Sequence, residues 1–214
     1  MFKAALFDLD GTLIDSEILW VKAARDYIRA NGYPCSDEEA LRIVYGRSWY
    51  NIVRDSVVLA PRLASLTPMQ MADQVRGYYT QLAENADISI SGSVSLFKRL
   101  SQSMTTAIVS GSPRLDIETA VKKLNIENDI SFIIGAEEYG EGKPNPQCYL
   151  MGAERAGAKP SECVVFEDAT VGVQAAKNAG MYCVALRIPG RPVQDLSAAD
   201  EILTDLNDWQ IPTL

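Results

Sequence analysis

The sequence predicts an α/β protein, in which a parallel sheet covered by helices on both faces is interrupted by a helical insertion. From Lys98 onward, short apolar runs alternate with helix-like stretches, a pattern typical of parallel sheets. The stretch 16–88 is instead helix-patterned and poor in strands. We therefore expect a sheet-based core of residues 1–15 and 89–214 and a small inserted helical domain of residues 16–88. The alternative for the insertion is an ordinary helical layer packed on the sheet.

Each strand of the core is predicted from a short apolar run bounded by turn residues. The first run would join the sheet from the far end of the sequence, whereas the others follow one another in the second half of the chain. In chain order the predicted strands are Phe2–Phe7, Thr105–Val109, Phe132–Ile134, Cys163–Phe166 and Tyr182–Leu186.

Two helices of the core are predicted from their starting residues. Pro113 opens a helix whose apolar residues recur at helical spacing as far as Leu124. Asn145 has the character of an N-cap and is followed by Pro146, a residue that suits the first helical position. The second of these helices is therefore expected to run to about Ala156.

The remaining helices are predicted from apolar spacing and from residues that end or cap a helix. In the core, a helix over Val171–Ala179 is expected to end at Gly180. In the insertion, Ser36 and Glu39 have the spacing of a capping box. Helices of the insertion are expected around Ala23-Ala24, Glu38–Leu41 and Met69–Leu82.

The composition limits the classes of function. The chain has 214 residues, of which 47% are apolar, and this is enough for a sizeable core. Its formal net charge of −8 argues against a nucleic-acid partner. No apolar stretch approaches the length of a membrane span, and the N-terminus lacks the pattern of a signal peptide. We therefore expect neither a nucleic-acid nor a membrane partner.

Two residue types narrow the chemistry further. The four cysteines are scattered without CxxC spacing, which predicts reduced thiols and a cytoplasmic location. The chain contains no histidine, which excludes His-based zinc sites and catalysis by Ser-His-Asp or Cys-His arrangements. Any catalysis must therefore use carboxylates, hydroxyls, lysine and a hard metal ion.

The most informative motif is Asp8-Leu9-Asp10-Gly11-Thr12, directly after the first predicted strand. Residues two apart in an extended chain face the same side. The carboxylates of Asp8 and Asp10 can therefore address one reacting centre at the edge where open α/β sheets bind ligands. Like charges held that close need a shared cation or proton. The alternative is an acidic turn in which each aspartate makes local hydrogen bonds.

Three further polar features follow strands of the same predicted sheet. Ser110-Gly111-Ser112 separates a strand from a helix start, where hydroxyls and main-chain N–H groups can bind an anion. Lys143 is flanked by a glycine and a proline, which restrict it more than a solvated lysine. Glu167-Asp168 ends a very apolar strand, where adjacent acids are costly without a cation. Each feature alone also fits an ordinary turn or surface charge, whereas their order along the chain is specific.

In that order the four segments resemble the motifs of the haloacid dehalogenase superfamily of phosphohydrolases, over essentially the whole chain. Asp8 and Asp10 are similar to its first motif, Ser110 to its second, Lys143 to its third and Glu167-Asp168 to its fourth. The resemblance implies a Rossmann-like core with an inserted small helical cap domain. Such a mobile cap is typical of the subgroup that contains β-phosphoglucomutase and sugar-phosphate phosphatases.

The resemblance also implies how the acids act. Asp8 would attack phosphorus and form an aspartyl-phosphate. Asp10 would protonate the leaving oxygen and then deprotonate the water that hydrolyses the intermediate. Mg²⁺ would be held by Asp8, by the main-chain carbonyl of Asp10 and by Asp168. Glu167 would support these ligands from behind, or alternatively serve as a minor ligand.

The same resemblance assigns the remaining groups to binding and support. Ser110, Gly111 and Lys143 would hold the transferring phosphoryl group, and Lys143 would also offset the charge on Asp8. Thr12 would support the site. The expected substrate is a small phosphorylated metabolite, such as a sugar or polyol phosphate, and the expected state is a monomer.

Departures from the family pattern separate the possible activities. An acid at position 10 favours phosphate chemistry, because the dehalogenases of the family lack one. β-Phosphoglucomutase uses a histidine just after the first motif, where Trp20 stands here, so a mutase would lack its usual acid and base. Phosphonoacetaldehyde hydrolase needs a cap lysine, and the insertion offers only Lys22, at its very start.

We therefore expect a Mg²⁺-dependent phosphatase and keep two alternatives. The first is a sugar-phosphate mutase of the β-phosphoglucomutase kind. The second is a catalytically idle module that binds a phosphorylated metabolite, and the presence of Asp10 argues against it because binding needs no leaving-group acid.

Substrate selection is expected to lie in the insertion. Arg47, next to aromatic residues, is predicted to contact a second anionic or hydroxyl group of the substrate, the alternative being a surface arginine. Glu17, Trp20 and Trp49 are candidates for the lining of the pocket, although tryptophans are equally common in the core of such a domain.

Overall fold

A computed structural model describes residues 1–45 and 49–212 of the chain. Its contacts divide the chain into two compact units, Met1–Ile14 with Ser89–Leu214, and Asp15–Ile88. The chain leaves and re-enters the first unit at one place, where Ile14 and Ser89 form an antiparallel bridge. Among the described residues, no helix is both long enough and apolar enough to span a bilayer.

The first unit is built on a parallel sheet. Its described strands are β1 Ala4–Phe7, β2 Thr105–Val109, β3 Phe132–Ile134, β4 Cys163–Glu167, β5 Tyr182–Leu186 and β6 Glu201–Leu203. They lie in the order β3-β2-β1-β4-β5-β6, with every neighbouring pair parallel. The order reverses at β1, so the loops after β1, β2 and β4 meet at the edge where such sheets bind ligands. The α/β fold predicted from the sequence is confirmed.

Eight α-helices are described, four in each unit. Those of the second unit are α1 Ser16–Ala30, α2 Asp37–Val44, α3 Trp49–Leu59 and α4 Pro68–Asn85. Those of the first unit are α5 Ser91–Ser101, α6 Arg114–Leu124, α7 Gln147–Arg155 and α8 Thr170–Asn178. Short 3₁₀ turns lie at Pro61–Ser65, Ala136–Glu138, Pro160–Glu162 and Leu206–Asp208.

Alternate side chains of β1 pack against the two opposite faces of the sheet. Leu6 is fully buried in a cluster that contains Tyr149 of α7 and Val173 of α8. Phe7 stacks on Phe166 of β4 at 4.3 Å between ring centroids and lies 4.9 Å from Phe97 of α5. Because β1 is buried on both sides, its polar continuation after Phe7 begins inside the protein rather than at its surface.

The second unit has its own apolar core, to which residues of all four of its helices contribute. The predicted capping box at the start of α2 is confirmed, since the Ser36 side chain accepts from Glu39 N–H and Glu39 accepts from Ser36 N–H. Thr67 and Gln70 form a second capping box at the start of α4. These caps fix the starts of α2 and α4, in a unit that contains no described strand.

The structure differs from the prediction at several boundaries. The first strand begins at Ala4 rather than Phe2, and β6, α3 and α5 were not predicted. The helix expected to start at Pro146 begins at Gln147, and Asn145 Oδ1 accepts from the N–H of that residue at 2.9 Å. The N-cap is therefore Pro146 rather than the predicted Asn145, and the side chain of Asn145 still accepts from the N–H of the first helical residue.

Candidate active site

A tight loop follows β1 and brings the first acidic motif to the edge of the sheet. The N–H groups of Leu13 and Ile14 both donate to the carbonyl of Leu9, at 2.9 and 3.0 Å. Gly11 has φ +89°, and a Cβ atom there would lie 2.1 Å from Oδ2 of Asp168. Glycine is required because both the backbone conformation and the neighbouring carboxylate exclude a side chain.

Lys143 joins the acids of two neighbouring strands. Its Nζ donates to Oδ1 of Asp8 at 2.5 Å, to Oε1 of Glu167 at 2.6 Å and to the carbonyl of Val109 at 3.2 Å. The side chains are only 10% exposed for Lys143 and Asp8 and 1% for Glu167. The three acceptors match the three protons of the ammonium group. They lie at the ends of β1, β2 and β4, so these three strands together fix the position of the ammonium group.

Glu167 is held from four directions. Oε1 accepts from Lys143 and from the hydroxyl of Tyr149 at 2.8 Å, while Oε2 accepts from the N–H groups of Asp168 and Ala169 at 3.0 and 3.2 Å. A Cβ atom on Gly172 would lie 1.8 Å from Oε1. The carboxylate is therefore packed directly on the backbone of α8, with its lone pairs used by hydrogen bonds.

Carboxylate oxygens of Asp8, Glu167 and Asp168 lie within 4.8 Å of one another. The hydroxyl of Thr12 donates to Oδ1 of Asp168 at 3.2 Å. With Lys143 as their cation, the three ionised acids would still carry two uncompensated negative charges, which a hard divalent cation with oxygen ligands would neutralise. The residues present therefore fit Mg²⁺.

The pKa values of the buried groups lead to the same conclusion. Burial raises the pKa of Asp8 to about 8, although Lys143 opposes this and lowers it. For Lys143, burial lowers the pKa, but Asp8 and Glu167 outweigh it and raise the pKa above its usual range. Lys143 therefore stays protonated, whereas ionised Asp8 needs more positive charge than Lys143 alone supplies.

Asp10 is not one of the three clustered acids, although its charge helps to raise the pKa of Asp8, and its carboxylate contacts the segment after β2. Its Oδ2 accepts from the hydroxyl of Ser112 at 2.6 Å. The N–H of Ser112 donates to Oγ of Ser110 at 3.0 Å, and the hydroxyl of Tyr139 donates to the Ser110 carbonyl at 2.9 Å. Ser110 is 1% exposed, whereas Gly111 is exposed and a Cβ there would meet nothing closer than 4.0 Å. The predicted anion-binding segment is thus anchored through its first residue.

The candidate substrate contacts of the insertion are described only in part. Glu17 lies in the first turn of α1. The ring of Trp20 stacks on Tyr79 at 4.1 Å between centroids, with the guanidinium of Arg76 6.0 Å from the Trp20 ring. Arg47 lies outside the described residues, and Trp49 is the first residue of α3, without a described side chain.

Three features of the site were not predicted from the sequence. Tyr149 was predicted only to lie in a helix and not to belong to the site. In the structure its ring centroid lies 5.0 Å from Nζ of Lys143, the residue six positions before it. The bond between Ser112 and Asp10 joins residues 102 positions apart, so no spacing signals it. The close approach of Gly172 to Glu167 likewise has no local sequence signal.

Comparisons of this sequence with known proteins all point to the same protein family. The profile of the haloacid dehalogenase-like hydrolases matches residues 5–186. The chain is 32% identical over 213 residues to validoxylamine A 7'-phosphate phosphatase from Streptomyces hygroscopicus subsp. limoneus, covering 99% of this chain and 98% of that protein. It is 29% identical to fructose-1-phosphate phosphatase YqaB from Escherichia coli, covering 87% and 97%.

A solved structure agrees with these sequence relatives. A haloacid dehalogenase family hydrolase from Deinococcus radiodurans, crystallised with bound phosphate and sodium, superimposes with a TM-score of 0.78 at 26% identity. The match covers 96% of this chain and 92% of that one. The similarity thus extends over both units rather than over the sheet alone.

Proposed function

This chain belongs to the haloacid dehalogenase-like hydrolase family, and we propose that it is a Mg²⁺-dependent phosphatase acting on a small phosphorylated metabolite, most favourably a sugar phosphate. The observation that carries the proposal is the buried pair of Asp8 and Lys143, with Asp168 beside it and Asp10 two residues on. This set supplies a nucleophile, a cation, a metal ligand and a separate acid, which are the groups that phosphoryl transfer needs.

In the first step, a carboxylate oxygen of Asp8 attacks phosphorus. Lys143 occupies Oδ1, so Oδ2 is the oxygen we assign to the attack. The bond between phosphorus and the leaving oxygen breaks as Asp10 gives that oxygen its proton. An aspartyl-phosphate on Asp8 and a free alcohol result.

In the second step, Asp10 takes a proton from water and the water oxygen attacks phosphorus. The bond to Asp8 then breaks, which releases inorganic phosphate and restores the Asp8 carboxylate. Asp10 regains the proton it gave away, so the cycle ends with the enzyme unchanged.

Bound Mg²⁺ would neutralise charge on Asp8 and on the phosphoryl group. We propose Asp8 and Asp168 as side-chain ligands, with the Asp10 main-chain carbonyl as a third. Glu167 is assigned to support, because its oxygens already accept four hydrogen bonds and it anchors Lys143. Thr12 supports Asp168 in the same way through its hydroxyl.

The phosphoryl oxygens are assigned to Ser110 and Gly111, which follow β2, and to Lys143. Ser110 is buried and its main chain is fixed at both ends, since its N–H donates to Ile134 and its carbonyl accepts from Tyr139. The exposed Gly111 offers its own main-chain N–H to an anion, whereas the N–H groups of Ser110 and Ser112 already donate to Ile134 and to Oγ of Ser110.

We assign the second unit to the role of a cap that selects the substrate, with Arg47 as its proposed contact. The two relatives named above are, by name, phosphatases of validoxylamine A 7'-phosphate and of fructose-1-phosphate, and the second of these names favours a sugar phosphate here. All four cysteines are free and buried, which favours the cytoplasmic location expected from their spacing. A monomer remains the proposed state.

The experiment that tests this function is release of inorganic phosphate by the purified protein with Mg²⁺, from p-nitrophenyl phosphate and from a panel of sugar and polyol phosphates. We expect turnover of p-nitrophenyl phosphate and a preferred sugar phosphate in the panel. Binding of sugar phosphates without release of phosphate would instead favour the idle binding module. Interconversion of sugar phosphate isomers would favour the mutase, for which the chain lacks a histidine.

A further inference from the structure

We propose that Ser112 is a positioning residue for Asp10, whose hydroxyl holds one carboxylate oxygen and so directs the other to the leaving group. The inference rests on the proposed function, because it needs Asp10 to be the proton donor. Ser112 Oγ lies 2.6 Å from Asp10 Oδ2, the length of a strong hydrogen bond to a charged acceptor. Ser112 itself touches no reacting atom in this assignment.

The two residues meet because their strands are neighbours. Asp10 follows β1 and Ser112 follows β2, and the two strands are paired in parallel with Phe7 beside Ile108. The N–H of Ser112 donates to Oγ of the buried Ser110 at 3.0 Å. Ser112 is therefore fixed to a rigid strand end before it contacts Asp10.

The hydroxyl of Ser112 is also not needed to cap the N-terminus of α6, which is the usual role of a serine just before a helix. Serine is a preferred N-cap, yet α6 has Pro113 as its N-cap and no side-chain cap from its own sequence. The N–H of Arg114 donates instead to both carboxylate oxygens of Glu137, at 3.1 Å each. With the helix start satisfied by Glu137, the Ser112 hydroxyl is available to Asp10.

The bond determines which oxygen of Asp10 is left for the reaction. Oδ2 accepts from the Ser112 hydroxyl, so we assign the transferred proton to Oδ1. Oδ1–H is then the group that protonates the leaving oxygen as the bond to phosphorus breaks, and Oδ1 later receives the proton of water. Ser112 keeps its own proton throughout. Without the Ser112 hydroxyl, this contact no longer sets which oxygen of Asp10 faces the leaving group.

The test uses two substrates of nearly equal shape that differ in leaving-group ability, phenyl phosphate and p-nitrophenyl phosphate. The kcat/KM value reports steps up to the first phosphoryl transfer, and only the poorer phenolate leaving group depends strongly on a well-placed acid. We expect Ser112→Ala to lower kcat/KM by about tenfold on phenyl phosphate and by less than about twofold on p-nitrophenyl phosphate. Ser112→Thr, which keeps a hydroxyl, should retain most of the activity on both.

Two controls separate this role from a structural one. Ser101 donates to Asp129 at 2.9 Å before the start of β2, a serine–aspartate bond at the opposite end of that strand, and Ser101→Ala should lose equally little on both substrates. In the Asp10→Asn background, Ser112→Ala should add no further difference between substrates, because there is no acid left to position.

The outcomes are distinct for each hypothesis. Equal loss on both substrates, or no loss on either, overturns the positioning role of Ser112. A further substrate-dependent loss in the Asp10→Asn background also overturns it, and this comparison holds even if the single variant is less stable. A wild-type protein that releases no phosphate from either ester would instead refute the proposed function itself.

Discussion

Replacing Glu167 by Gln tests how the charged cluster of the site contributes to folding. The substitution keeps the shape of the side chain, removes its charge and turns one oxygen into an NH₂ donor. Each oxygen of Glu167 accepts two hydrogen bonds, one from Lys143 and Tyr149, the other from the main chain. Whichever way the amide is turned, its NH₂ group faces two donors and cannot satisfy them.

The expected loss follows from the burial of the pair. Removing one partner of a buried ion pair costs about 3–5 kcal/mol, because the other charge is left without compensation. Lys143 still has Asp8 at 2.5 Å, so its charge remains paired, and loss of the Glu167 charge also relieves its repulsion with Asp8. The lower end of that range therefore applies. We expect the free energy of unfolding to fall by about 3 kcal/mol in Glu167→Gln.

Urea unfolding followed by circular dichroism, with EDTA present so that metal binding does not contribute, measures this loss. The slope of the unfolding free energy against urea should stay unchanged, which shows that the same surface is exposed. Glu118→Gln is the matched control, since Glu118 is 47% exposed and pairs with Arg114 at 3.5 Å. We expect the control to change stability by less than about 0.5 kcal/mol. A Glu167→Gln protein as stable as the control would refute the reasoning.

Four further predictions concern the chemistry and the insertion. Asp8→Asn should reduce phosphate release to below about a hundredth of wild type with unchanged circular dichroism, and a faster variant would contradict the covalent role. Chelation with EDTA should abolish phosphate release and Mg²⁺ should restore it, whereas full activity of a protein shown to be metal-free would exclude the metal site. Gly11→Ala should lower both the thermal midpoint and activity, because its Cβ would lie 2.1 Å from Oδ2 of Asp168; a variant with wild-type values would show that the loop adapts. Arg47→Ala should lower kcat/KM about ten- to a hundredfold on the preferred sugar phosphate but hardly on p-nitrophenyl phosphate, and equal losses would assign Arg47 to the catalytic centre or the fold.

The buried strands were the part of the fold best predicted from sequence. The bounds of β2 and β5 agree with those predicted, because strands buried on both faces give continuous apolar runs between turn residues. The bounds of the partly buried edge strand β3 also agree, because its three residues are all apolar. β6 was missed, since the three residues Glu201–Leu203 begin with a charged residue and therefore give no continuous apolar run. α5 was missed because its Ser-Gly-Ser start is unfavourable for a helix, and its stability comes from buried side chains such as Phe97.

The acids and the lysine of the site were found because each follows a predicted strand, and the family resemblance they indicated is confirmed by the profile match. The groups that hold them were not found, for a physical reason. Tyr149 and Gly172 lie on helices, and helical spacing shows which face is buried without showing what that face contacts. Only the packing of α7 and α8 on the sheet brings both residues to Glu167.

The bridge between Ile14 and Ser89 has a consequence for how proteins of this kind diversify. Next to the bridge, the N–H of Ile90 donates to the carbonyl of Leu13 at 2.9 Å, and the N–H of Asp15 donates to the carbonyl of Ile88 at 2.8 Å. These hydrogen bonds join the two ends of the inserted segment. The inserted segment is therefore equivalent to one long closed loop between two neighbouring positions of the first unit. The entropic cost of closing a loop rises only slowly with its length. Evolution can therefore lengthen, shorten or exchange that loop while the register of the strands, and with it the reactive groups, is inherited unaltered. Under the proposed role of the second unit in substrate selection, selectivity and reactivity are free to change at different rates in the same gene.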